Sequence, residues 1–180
     1  EGGSIESGGE GTILTTSECL LSPNRNEWLN RTQVELELKR RLHACRVIWL
    51  EHGYLAGDDT DSHIDTLARL CPDKTIAYVQ CTDTTDEHYA ELSAMEQELK
   101  ALEGYRLVPL PMPDAVYDEE GQRLPATYAN FLVVNGAVLM PTYNQAENDK
   151  AAAEQLRKAF PNREVAGIDC LPLIRQHGSL

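Results

Sequence analysis

Apolar positions recur at helical spacing in three stretches of the chain, and short apolar runs bracket each stretch. Val34, Leu38 and Leu42 fall four apart within 33–42. Leu92, Met95, Leu99 and Leu102 follow at threes and fours within 86–102, with Thr85 or Asp86 available as a cap. Ala152, Leu156 and Phe160 share one face of 149–160, and Pro161 stops that stretch. A spacing near 3.6 marks a helix with one buried face, and proline lacks the N–H that would continue it. Helices are therefore predicted over 33–42, 86–102 and 149–160. Strands are predicted where β-branched runs follow each helix, at 46–50, 106–110 and 164–168. Further strands precede the helices at 12–16, at 75–79, and at 131–134 with 137–140. Asn135-Gly136 joins the last two, a strong hairpin signal.

A strands–helix–strand unit thus occurs three times, and the predicted fold class is α/β. Two organisations fit: a repeat architecture, or an ordinary α/β domain without repeats. A chain of 180 residues suffices for one domain with a sizeable core, 1–180.

Charge narrows the partners. Sixteen Lys and Arg against 29 Asp and Glu leave a net charge of −13. Nucleic acid and anionic membrane surfaces need the opposite sign, so both are excluded as expected partners. A small cation would be drawn in, although the same charge could serve solubility alone. The five cysteines form no C-x-x-C pair, so neither a disulfide framework nor a zinc knuckle is indicated. No membrane-length apolar run or signal peptide is visible, and a reducing cytoplasm is the expected compartment. The sequon Asn30-Arg31-Thr32 has no secretory context to support it. The chain starts at Glu1 without Met and stops at Leu180, and both ends read as cut from something longer.

The densest chemistry is Gly57-Asp58-Asp59-Thr60-Asp61-Ser62-His63-Ile64-Asp65-Thr66, with four carboxylates and one histidine in ten residues. If extended, it would turn Asp59, Asp61, His63 and Asp65 to one side. A calcium loop counted from Asp59 would need Gly at Ile64 and Glu at Leu70, so that reading fails. A metal site using His63, Asp65 and His52 lacks any paired-histidine spacing. A solvated acidic turn is one surviving reading. The other is a proton-transfer histidine among carboxylates that favour its imidazolium form. The glycine-rich start has no Gly-Lys-Ser/Thr, and Glu6 and Glu10 would repel phosphate, so it is no phosphate loop. Gly8 to Gly11 reads as a turn before a strand, whereas Gly2 and Gly3 would let Glu1 come close to other groups. Asn130 opens an apolar strand and would either satisfy backbone groups or bind ligand.

Several segments taken in order resemble the agmatine deiminase family of guanidino-group-modifying enzymes. They are Glu1-Gly2-Gly3-Ser4-Ile5, Gly11-Thr12-Ile13-Leu14-Thr15-Thr16 and Cys19-Leu20-Leu21-Ser22-Pro23-Asn24-Arg25-Asn26. Gly57 to Asp65, Tyr128-Ala129-Asn130-Phe131-Leu132, Pro141-Thr142-Tyr143-Asn144 and Ile168-Asp169-Cys170 complete them. Bacterial peptidyl-arginine deiminases share the outline. The resemblance implies a five-bladed pseudo-symmetric α/β propeller, the pentein fold, of which this chain would hold about three blades. It implies a small guanidino substrate such as agmatine, and neither cofactor nor metal. It also implies roles: His63 as general acid and base, Asp65 holding the guanidinium, Glu1 orienting the histidine, and Asn130 lining the pocket. Some of Asp58, Asp59 and Asp61 would face the distal ammonium. The family's nucleophilic cysteine follows a glycine-rich motif that His177-Gly178-Ser179-Leu180 only begins, so none of the five cysteines takes that place, and Cys71 is expected to be structural. Unpaired strand edges in a three-blade piece would call for a second copy or the rest of the same protein.

Overall fold

The computed structural model describes residues 2–176, 178 and 180. Its elements fall into three units of one plan. The first contains β1 (Glu6–Ser7), β2 (Thr12–Thr16), the short helices α1 (Ser17–Leu20) and α2 (Pro23–Asn26), α3 (Arg31–Leu42) and β3 (Arg46–Leu50). The second contains β4 (Ala68–Cys71), β5 (Thr75–Gln80), α4 (Tyr89–Lys100) and β6 (Arg106–Pro111). The third contains β7 (Leu132–Val134), β8 (Ala137–Thr142), α5 (Ala146–Ala159), β9 (Glu164–Asp169) and, beyond it, α6 (Leu171–Ile174). Each unit makes its own three-stranded sheet. The first two strands pair antiparallel, and a helix then carries the chain to a parallel third strand. The parallel pairings start at Thr12 with Arg46, Thr75 with Arg106 and Ala137 with Glu164, so the register repeats as well as the order.

Most predicted elements are present, with shifted ends. α3 starts earlier than predicted because Asn30 and Gln33 form a reciprocal capping box. Its apolar stripe is shallower than the spacing suggested: Val34 is buried, but Leu42 is half exposed, since this helix covers only a small cluster with Leu20 and Trp49. α4 starts at Tyr89, because Asp86 spends one oxygen on the backbone N–H and ring of His88 and the other on Arg123. α5 starts before Asp149, whose carboxylate receives the Tyr143 and Gln145 backbone N–H groups and the Tyr128 hydroxyl. The Asn135-Gly136 hairpin forms as expected.

β1 and β4 were not foreseen. Asp73 and Lys74 both take positive φ (54° and 50°) in the turn that joins β4 to β5. That is the backbone of a tight hairpin, made by residues that do not advertise it as Asn-Gly does.

The main core runs through all three units, from Leu14 and Ile48 through Ile76, Met95 and Leu110 to Val138, Met140 and Leu156. A polar clamp crosses the same boundaries. Arg69 on β4 has Nε 3.0 Å from Glu6 Oε2 on β1. Its Nη1 donates to the carbonyls of Ala129 (3.1 Å) and Phe131 (2.6 Å), just before β7. Its guanidinium also lies 4.6 Å from the Phe131 ring centre. Glu6 in turn accepts the Leu70 backbone N–H at 3.1 Å. Removing one partner of such a buried pair strands the other charge. Arg69→Met is expected to lower stability by about 3 kcal/mol, read from urea denaturation, and a loss below about 1 kcal/mol would contradict the clamp.

His88 provides a second test. It is fully buried, stacks on Tyr54, and accepts the Ala56 backbone N–H at Nε2 (2.8 Å), so its proton sits on Nδ1 facing Asp86 at 2.6 Å. Burial lowers its pKa against the opposing pull of Asp86. Burial works to raise Asp86, but its bonds from Arg123 and His88 prevail and hold it at about 2. The unfolded chain therefore takes up the His88 proton first. The contribution of neutral His88 is complete above about pH 6.5 and is lost as pH falls below it. Stability measured at about pH 7 and about pH 5 is expected to drop in the wild type by more than in His88→Gln.

Candidate active site

The loop between β3 and β4 builds the site, and it is not extended as the alternation of carboxylates suggested. Asp61 and Ser62 have φ of 57° and 60°, a left-handed pair that costs free energy and persists only when contacts fix it. Those contacts come from the corner after β2. Arg25 pairs with Asp61 at 2.6 Å and donates to the Thr60 carbonyl at 2.9 Å. Thr16 donates to the Ser62 carbonyl at 2.8 Å, and Ser62 donates to Glu18 at 3.0 Å. At the other end Gly57 has φ of 80°, and any Cβ there would strike the Arg123 carbonyl and approach the Pro125 ring. The loop is thus wedged between the first unit and the 123–130 segment.

The wedge leaves a cavity of about 220 Å³ whose walls include Asp58, Thr60, His63, Asp65, Thr127 and Asn130. A larger depression of about 530 Å³ near Pro111 and Asn148 has carboxylates but no histidine, so chemistry rather than size selects the smaller one. His63 precedes a single 3-10 turn, Ile64–Thr66, and its carbonyl accepts the Thr66 hydroxyl at 2.8 Å. Ile64 is fully buried beneath the turn, and the site side chains His63 and Asp65 flank it. Thr127 donates to the Thr66 carbonyl at 2.8 Å, which ties the turn to the segment carrying Asn130.

Gly3 shows how tightly the N-terminal segment closes on this pair. A Cβ on Gly3 would lie 2.5 Å from His63 Nδ1 and 2.6 Å from Asp65 Oδ2. The imidazole and the carboxylate therefore face the same point, and only glycine leaves room there.

Asn130 is 8% exposed, and its amide donates to the Asp65 carboxylate. Burial raises the pKa of Asp65, while the charges of Arg69 and His63 and the Asn130 hydrogen bond oppose the rise. Asp58 also faces the cavity. Its Oδ1 accepts the Thr60 hydroxyl (2.5 Å) and backbone N–H (3.3 Å), and the Thr60 hydroxyl in turn accepts the His63 backbone N–H at 3.3 Å.

His63, Asp65 and Asn130 are thus brought together as anticipated. Asp59 and Asp61 are not among the residues walling the cavity: Asp59 is exposed, and Asp61 is held by Arg25. Glu1 lies outside the described residues. Sequence reasoning did not find Thr60 or Thr127, although the Asp-x-Thr spacing of Asp58 and Thr60 is an Asx-turn signal that could have pointed to the first. None of the five cysteines walls the cavity. Cys71 is buried beside the β4–β5 turn, and burial pushes its thiol up to about 12. Among the described residues no group of three or more His, Cys, Asp or Glu is arranged to hold a metal, and no helix is long and apolar enough to cross a membrane.

The sequence and its three repeated α/β units have close counterparts among known proteins. The profile of the Porphyromonas-type peptidyl-arginine deiminase family matches residues 1–180, and the chain belongs to that family. Its resemblance to agmatine deiminases is borne out too. Agmatine deiminase of Medicago truncatula is 35% identical over 191 residues, covering 94% of this chain and 51% of that protein. A C. jejuni agmatine deiminase, solved as a Cys-to-Ser variant with substrate bound, is 49% identical with a TM-score of 0.96 over 100% of this chain and 53% of its own. A Porphyromonas gingivalis crystal structure, named provisionally as an arginine deiminase, is 58% identical with a TM-score of 0.95 over 100% of this chain and 54% of its own. An amidinotransferase from Microseira wollei, 10% identical with a TM-score of 0.55, shares the fold alone. The fold is the α/β propeller expected from the motifs, with three of its blades in view. The chain spans about half the length of the relatives it matches.

Gly3→Ala is expected to force His63 and Asp65 apart while leaving the fold intact. The NMR resonances of the His63 ring should move, with unchanged far-ultraviolet circular dichroism. Unmoved resonances would show that the N-terminal segment does not press on the pair.

Proposed function

We propose that the chain supplies the guanidinium-binding and proton-transfer half of a cytoplasmic guanidino hydrolase, with agmatine as substrate and N-carbamoylputrescine and ammonia as products. The observation that carries the reading is the convergence of His63, Asp65 and Asn130 in one cavity. A guanidinium is planar and cationic, and carboxylates accept its N–H groups in charge-assisted pairs. Asp65, fixed by Asn130, takes that role.

Deimination then needs a nucleophile and a proton donor. A cysteine thiolate adds to the guanidinium carbon, the C–N bond to the leaving nitrogen breaks, and His63 protonates the departing ammonia. That leaves a thiouronium bonded to the cysteine. Water, deprotonated by the same histidine, adds to its carbon, and the C–S bond breaks to release the ureido product and restore the thiolate. Since none of the five cysteines walls the cavity, the attacking sulfur in this scheme comes from outside these 180 residues. The product of this scheme is a carbamoylated diamine, and polyamine metabolism is the proposed setting. The net charge of −13 supports a substrate with a second cation and no carboxylate. Free arginine or peptidyl-arginine is the second reading, favoured by the family profile and by the 58% identical structure.

The test is a ureido-product assay with agmatine, arginine and a peptidyl-arginine. It is run on this chain and on the chain joined to the further segments that its relatives carry. The joined protein is expected to turn over agmatine, and His63→Ala or Asp65→Asn to lower kcat/KM by at least about 100-fold. Near-normal rates in either variant would sink the site assignment. Calorimetric binding of agmatine without turnover would be the result for this chain alone, as expected of a guanidinium-binding piece without its nucleophile.

A further inference from the structure

Asp58 has a feature that the proposed reaction does not yet use. One oxygen is fully engaged, with Oδ1 accepting both the Thr60 hydroxyl and the Thr60 backbone N–H. The other, Oδ2, is shielded from solvent and has no hydrogen-bond partner among the described residues. A buried carboxylate oxygen without a donor is costly, and such atoms are rare unless something outside the chain supplies the donor. Asp58 walls the same cavity as His63 and Asp65, and its charge is felt at Asp65, where it works to keep the second carboxyl protonated. A cation entering the cavity would relieve both conditions at once.

We propose that Asp58 is a substrate-binding carboxylate whose Oδ2 accepts an N–H of the bound cation, held in position by Thr60. This rests on the guanidino-substrate reading above and extends it. It also separates the three acidic neighbours: Asp58 faces the substrate, Asp61 braces the loop through Arg25, and Asp59 is exposed. Thr60 couples the two halves of the site, because its hydroxyl donates to Asp58 and accepts from the His63 backbone N–H.

The experiment uses the protein that turns over agmatine, so that a wild type inactive on every guanidine tested counts against the functional reading rather than against Asp58. In D58N the amide oxygen can still accept from Thr60, but the substrate-facing atom loses its charge. KM for agmatine is expected to rise about 10- to 100-fold, with kcat within a few-fold and the unfolding midpoint unchanged. Butylguanidine, which lacks the distal ammonium, divides the two N–H sources. An equal rise for both substrates means that Asp58 holds the guanidinium, and a rise for agmatine alone means that it holds the tail; either outcome supports the proposal. An unchanged KM overturns it, as does a loss of kcat and stability at constant KM, which would mark Asp58 as a loop brace. Should D58N fail to fold, Thr60→Val keeps the carboxylate but frees it. There a several-fold rise in KM is expected, and none would be equally decisive against the proposal.

Discussion

The guanidinium of Arg69 is the point on which the three units depend. It reaches Glu6 in the first unit from its own strand in the second, and donates to two carbonyls ahead of the third unit's first strand. Those carbonyls belong to Ala129 and Phe131, and Asn130 lies between them. The clamp therefore fixes the backbone of the residue whose amide orients Asp65. Burial raises the pKa of Glu6 while Arg69 works against the rise, so the pair is a strained compromise between desolvation and attraction. What it gains is geometry: one planar donor group sets the relative placement of three sheets.

From that placement the site follows. The loop between β3 and β4 is bent back by two left-handed residues, and both lean on the first unit. His63 and Asp65 then sit either side of a buried isoleucine, and Gly3 closes over them. On the far side, Ala56 is anchored by His88, two residues before Asp58. Asp65 thus draws a polar contact from Asn130 of the 123–130 segment, whereas Asp58 is held by Thr60 of its own loop. Charge completes the design, because a cavity walled by carboxylates on a chain of net charge −13 favours a cation over water or anions.

The parts that could be read in advance have local causes. Helical spacing around Leu92, Met95 and Leu99, and the Asn135-Gly136 turn, act over a few residues and were legible. His63, Asp65 and Asn130 were legible because the family motif names them. The rest depends on distant partners. Nothing near Asp61 or Ser62 foretells a left-handed pair, since Arg25, Thr16 and Glu18 impose it from elsewhere in the chain. β4 ends in a turn whose Asp73 and Lys74 have no strong preference for positive φ. Arg69 looks like any arginine until the carbonyls of residues sixty places away are brought to it.

The contact of Gly3 with His63 and Asp65 bears on how the molecule comes into being. Residue 3 presses on His63 and Asp65, which lie far from it in the chain. Closing so long a loop is entropically slow and gains little until the intervening sheets exist. The sheets are built from local hairpins and helices, whereas the contact of residue 3 with residues 63 and 65 joins distant parts of the chain and is expected to form after them. That contact is thus added to sheets that already stand, and it is the part of the site most exposed to any loosening of the N-terminal segment.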